Sequence, residues 1–169
     1  MSVRIRNETP DDVAAIDAVT VAAFQNAPHT SHTEQFIVAA LRAAGALTVS
    51  LVAEAEGAVV GHVAVSPVTI SDGTPNWYGL GPISVLPAWQ GRSVGSALMR
   101  AALEALRESG AAGCVVVGEP AFYGRFGFRA EAGLVLPDIP PEYFQAVAFG
   151  NRDVPQGIVA YDNAFNAQK

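Results

Sequence analysis

The stretch from Tyr78 to Arg107 limits most sharply what this chain can fold into. An apolar strand interrupted by glycines, Leu80-Gly81-Pro82-Ile83-Ser84-Val85-Leu86, runs through a glycine-bearing turn into a long amphipathic helix. Val94, Leu98, Ala101 and Ala105, with Ala102 and Leu106, recur there at helical spacing. The first turn of a helix leaves backbone N–H groups without intrahelical partners and carries a partial positive charge, so the arrangement suits a phosphate. Gly91 and Gly95 lack the Cβ atoms that would hold a pyrophosphate away, while Arg92 and Ser96 add a positive charge and a hydroxyl. Two familiar nucleotide motifs fail. The triphosphate loop needs a lysine at the helix start, whereas the only lysine is Lys169, and the stretch does not form G-x-G-x-x-G.

Gln90-Gly91-Arg92-Ser93-Val94-Gly95 resembles instead the acetyl-coenzyme A signature Gln/Arg-x-x-Gly-x-Gly/Ala of the GNAT superfamily of N-acyltransferases. Ser93 departs from that pattern. It stands where the family usually has glycine, so either the turn is wider or the hydroxyl itself bonds the phosphate. Ile83-Ser84-Val85-Leu86-Pro87 and Ser96-Ala97-Leu98-Met99 continue the match, and Phe122-Tyr123-Gly124-Arg125-Phe126-Gly127-Phe128 resembles a second block, that of the YhbS-like branch. The plainer alternative is a core strand packed on a surface helix.

The resemblance implies an α/β (α+β) fold, the GNAT fold: a central mixed, mostly antiparallel twisted sheet with a parallel splayed strand pair, flanked by helices on both faces. It also implies acetyl-CoA as cosubstrate, a primary amine as acceptor, and direct attack in a ternary complex with no protein nucleophile. Gln90, Gly91, Arg92, Ser93, Val94, Gly95 and Ser96 would hold the pyrophosphate. Ile83, Ser84 and Val85 would offer backbone partners to the pantetheine amides and to the developing oxyanion. Tyr123 would protonate the departing thiolate, as a phenol of high pKa can do. Read from the residues alone, Tyr123 is equally a packing ring in a cluster with Phe122, Phe126 and Phe128.

Glycines 79 and 81 and Pro82 inside one strand give little to pack and remove a ladder donor, so a bulge or kink is expected there. In the superfamily this strand splays from the next, and the pantetheine arm enters the gap.

At 169 residues the chain suits one domain, 1–169, with a full core. Half of it is apolar and 15% is charged, a globular composition. No apolar run approaches membrane-spanning length and the N-terminus lacks a signal-peptide core, so a cytoplasmic protein with no membrane partner is expected. A net charge of −6 argues against non-specific nucleic-acid binding and is compatible with amine substrates. Cys114, alone in an apolar run, reads as a buried structural thiol, and no ligand spacing suggests a metal.

Val3-Arg4-Ile5-Arg6 alternates as a short edge strand, and Thr9-Pro10-Asp11-Asp12 opens a helix whose Val13, Ile16, Val19, Thr20 and Ala23 share a face. A second helix begins at Glu34, after a polar loop holding His29 and His32. Those histidines read as solvated side chains, although the resemblance would put them near the acceptor. Two β-branched runs around Glu56-Gly57 form a hairpin, and His62 reads as a half-buried sheet residue. Residues 112–118 form a strand buried on both faces, parallel to the cradle strand through a right-handed crossover. Leu134-Val135-Leu136, Tyr143 to Phe149 and Gly157 to Tyr161 supply the last strands.

Glu119, Glu54, His29 and His32 all remain open as the general base. Two further classes of function stay open: a non-catalytic acyl-CoA-binding sensor domain, and an interaction module with no ligand. A homodimer is compatible with the resemblance.

Overall fold

The computed structural model describes residues 2–27 and 30–169; His29 lies outside them. Strand β1 (Arg4–Asn7) leads into a short 3-10 turn at Pro10–Asp12, where proline fixes the backbone angle that a helix start requires, and then into helix α1 (Val13–Phe24). Helix α2 (Glu34–Ala43) follows, then β2 (Val49–Ala55) and β3 (Ala58–Ile70). The β2–β3 hairpin turns on Glu56 and Gly57, whose φ values of 53° and 77° give the mirror-image turn that matches strand twist.

Strand β4 (Trp77–Val85) delivers the chain through a turn to helix α3 (Val94–Glu108), and β5 (Gly113–Val117) returns beside β4. A one-turn helix α4 (Pro120–Tyr123) precedes β6 (Arg129–Ala130), β7 (Leu134–Val135), β8 (Phe144–Ala148) and β9 (Gly157–Tyr161). The main path of the sheet is β1-β2-β3-β4-β5-β8-β6. Every step along it is antiparallel except β4–β5. Off that path, β9 pairs antiparallel with the far end of β3, and β7 runs parallel to β9. The path ends on both sides in short arginine-bearing strands, β1 with Arg4 and Arg6 and β6 with Arg129.

Alternation along β2 and β3 feeds two cores. Leu51, Ala53, Val63 and Val65 meet Leu98, Met99 and Leu106 of α3 on one face. Val52 and Ala64 meet Ile16 of α1 and Val38 of α2 on the other. Leu98 is fully buried, so Leu98→Ala would cost about 2–5 kcal/mol. The sheet is thus clamped between α3 and the α1–α2 pair, the mixed, helix-flanked architecture expected above. Among the described residues no helix is long and apolar enough to cross a membrane.

Candidate active site

The site begins where β4 stops being an ordinary strand. Val63 pairs with Ile83 but Val65 pairs with Leu80, so β4 carries an extra residue at Gly81-Pro82 and bulges there. On its other side β4 pairs with β5 only from Trp77 to Gly79, after which no pairing continues between the two strands. The Leu86 N–H donates to Val60 O (2.9 Å), which sets the phase of the ladder. Ser84 therefore turns its main chain toward β3, whereas the N–H and C=O groups of Ile83 and Val85 point into the gap. Of the three predicted backbone contributors, two face the gap and Ser84 does not. The Gln90 side chain donates to Val85 O (3.1 Å) and ties the following turn back to the strand.

That turn places the start of α3 at the mouth of the gap. Its first intrahelical bond runs from Ala97 N–H to Ser93 O (3.1 Å), leaving the N–H groups of Val94, Gly95 and Ser96 without helical partners. Ser93 has φ 65° and ψ 15°, the left-handed conformation that glycine adopts most readily. The turn therefore keeps glycine geometry with a serine in it, at a cost of about 1 kcal/mol. Gly95 differs. A Cβ there would approach nothing closer than 3.9 Å, at Phe122 and Val85, so packing does not require glycine. A helical glycine costs about 0.5–1 kcal/mol relative to alanine, and here it keeps open the space beside the free N–H groups, the shape a pyrophosphate needs.

Two guanidinium groups flank this cradle. Arg92 lies over the Trp89 ring, 5.1 Å from its centroid. Arg125 lies over Phe122 and Phe126, at 5.0 and 5.4 Å, and donates to Ser96 Oγ (2.8 Å). No local pattern in the sequence linked Arg125 to Ser96; the contact arises because α4 packs against the start of α3.

At its other end the gap widens into a cleft of about 650 Å³, whose walls include Phe24, Ile37, Tyr123, Ile139 and Tyr161. Two tyrosines reach it across glycines. A Cβ on Gly118 would collide with the Tyr123 ring, and one on Gly79 with the Tyr161 ring. Burial raises the pKa of both phenols, that of Tyr161 further through Cys114 and Tyr123, so both are neutral donors at neutral pH. The Tyr161 hydroxyl is buried without a partner among the described residues. Glu34 also lines the cleft. Its Oε2 accepts from the Thr30 hydroxyl (2.6 Å), whereas Oε1 is buried with no partner among the described residues.

The base candidates drawn from sequence fall elsewhere. Glu54 is bonded to Arg6 (3.1 Å), Glu119 is exposed at the start of α4, and His32 is exposed and absent from the described cleft wall. His62 is completely buried rather than half-buried. Arg42 holds Glu8 through two bonds of 3.0 and 2.9 Å, the Ser50 hydroxyl donates to Glu8, and His62 Nε2 lies 2.8 Å from that hydroxyl. Since the one serine proton goes to Glu8, the His62 Nε2–H is the donor to Ser50. Burial, opposed by Glu8 and aided by Arg42, pulls the imidazole pKa down to about 4. The Cys114 thiol is pushed up by burial and is inert.

Tyr161, Glu34 and Arg125 are residues of the candidate site that the sequence did not reveal. Tyr161 arrives through the pairing of Val68 with Tyr161, across more than ninety positions of chain, and Glu34 was legible only as a helix start.

An acetyltransferase (GNAT) domain model matches residues 47–130. The chain is 39% identical over 129 residues to the uncharacterized N-acetyltransferase YhbS of Escherichia coli K12, covering 76% of this chain and 74% of that protein. Among solved structures, a GNAT family acetyltransferase from Brucella melitensis in complex with acetyl-CoA is 51% identical with a TM-score of 0.86, covering 97% of this chain and 98% of that one. The crystal structure of Escherichia coli YhbS in complex with CoA is 34% identical with a TM-score of 0.88, covering 97% and 92%.

Proposed function

This chain belongs to the GNAT family of acetyltransferases, and we propose that it moves the acetyl group of acetyl-CoA to a primary amine by direct attack in a ternary complex. The observation that carries the reading is the parting of β4 from β5 after Gly79, between the free N–H groups of α3 and the Tyr123 phenol. Gln90 to Ser96, with Arg125, would take the pyrophosphate; Ile83 and Val85 would take the pantetheine amides. The two complexes described above bind acetyl-CoA and CoA, which supports the same ligand here.

In this reading remote binding energy at the cradle positions the thioester, and holding both reactants supplies the orientation that a bimolecular step lacks. Main-chain N–H groups beside the bulge face the developing oxyanion. Tyr123, neutral because it is buried, gives its proton to the departing sulfur. The whole chain acts as one domain, and a cytoplasmic setting belongs to the same proposal.

Calorimetric titration of acetyl-CoA into wild type and Gly95→Trp tests it. Wild type should bind and the folded variant should not, since the indole fills the cleared space. If wild type binds neither acetyl-CoA nor CoA, the reading is wrong.

A further inference from the structure

The cleft holds a chemical asymmetry that the transfer reaction alone does not require. Among the described residues that line it, Glu34 is the one charged side chain; Ser31 and the phenols of Tyr123 and Tyr161 are the other polar groups, and much of the remaining wall is apolar, including Phe24, Ile37, Leu136, Ile139 and Phe165. A buried carboxylate oxygen with no hydrogen-bond partner among the described residues is costly unless something donates to it. An ammonium group is the donor that would also match its charge.

Resting on the acetyl-transfer reading, we propose that the acceptor is a small arylalkyl primary amine, whose ammonium is received by Glu34 and whose apolar body lies against Phe24, Ile37, Ile139 and Phe165. The same lining argues against two of the commoner amine classes. An α-amino acid would bring its carboxylate beside Glu34 with no described cation in the wall to receive it. A polyamine would bury a second ammonium with no second carboxylate.

The protons then balance. The bound ammonium gives one proton to Glu34, and the neutral nitrogen attacks the thioester carbonyl carbon. The C–N bond forms and the C–S bond breaks. Tyr123 protonates the sulfur and recovers the second proton from nitrogen, and Glu34 releases its proton to water. The products are the amide and free coenzyme thiol.

The test is steady-state acetylation of 2-phenylethylamine, phenylalanine, ethanolamine and spermidine at saturating acetyl-CoA, by wild type, Glu34→Gln and Glu34→Asp, with acetyl-CoA affinity and melting temperature measured alongside. Phenylethylamine should exceed phenylalanine, which differs only by a carboxylate, by about 100-fold in kcat/KM, and ethanolamine by at least about tenfold. Glu34→Gln should lose about 100-fold toward phenylethylamine with acetyl-CoA affinity unchanged, and Glu34→Asp should recover part of it. Equal or better turnover of phenylalanine, ethanolamine or spermidine, or full activity in Glu34→Gln, overturns the inference and leaves acetyl transfer standing. Absence of acetyl-CoA binding by wild type overturns both.

Discussion

The molecule treats its carboxylates in two opposite ways. Around β1 and β2 three of them have a guanidinium: Asp12 and Glu54 share Arg6, at 2.7 and 3.1 Å, and Glu8 has Arg42 at 2.9 Å. In the cleft, among the described residues, Glu34 has only a threonine hydroxyl, and the Tyr161 hydroxyl has no partner. Paired groups of the first kind hold the fold together. Polar ends left open in a concave apolar site cost stability, and a site that must meet a ligand is where that cost is expected. In the proposed reading that difference separates residues of the fold from residues of the chemistry.

The largest effect that would break this division is at Tyr123. Tyr123→Phe should lower kcat about 1,000-fold, or ~4 kcal/mol of transition-state stabilisation, in a single-turnover assay with little change in acetyl-CoA affinity. A loss of thermal stability with kcat retained would move Tyr123 into the structural group.

Next is His62 on the structural side. Its folded pKa of about 4 lies below the unfolded value near 6.5, so the unfolded chain binds the proton more readily. Stability from the neutral imidazole is therefore full above about pH 6.5 and lost as pH falls toward 4, by about 3 kcal/mol in all. Urea unfolding across that window should show the slope, and His62→Gln should flatten it.

Gly95→Ala sharpens the contrast from the stability side. The ligand-free protein should gain about 0.5–1 kcal/mol by denaturant titration, while acetyl-CoA affinity should change little, because the signature admits alanine here and a Cβ would meet nothing closer than 3.9 Å. The smallest effect is at Ser93. Restoring glycine relieves a left-handed serine and should add about 1 kcal/mol or less to stability.

Local signals carried most of the fold. The Glu56-Gly57 hairpin, the proline start of α1, the spacing of Val94, Leu98 and Leu106, and the apolar run at β5 each state their conformation within a few residues. The cradle was legible for the same reason. What stayed hidden was set by long-range docking: Tyr161 enters the cleft because β9 pairs with the outer end of β3, and Arg125 meets Ser96 because α4 folds back on α3. The family signature marks Ser93 as unusual, but only the backbone shows that the position demands φ near 65°. Ser84 illustrates the converse. It lies in the strand where the motif puts it, yet strand pairing turns its main chain away from the gap.

The two ends of the sheet bear on how copies of this protein meet. An open strand edge invites another strand, and the usual deterrents are brevity and charge. Here the outer strands are four and two residues long, and they carry Arg4, Arg6 and Arg129. Two molecules sharing one continuous sheet through these strands would gain few ladder bonds and would have to accommodate arginines already bonded to carboxylates, Arg6 to Asp12 and Glu54 and Arg129 to Glu131. The brevity of these outer strands is a guard that the fold builds in against edge-to-edge pairing at both ends of the main sheet path.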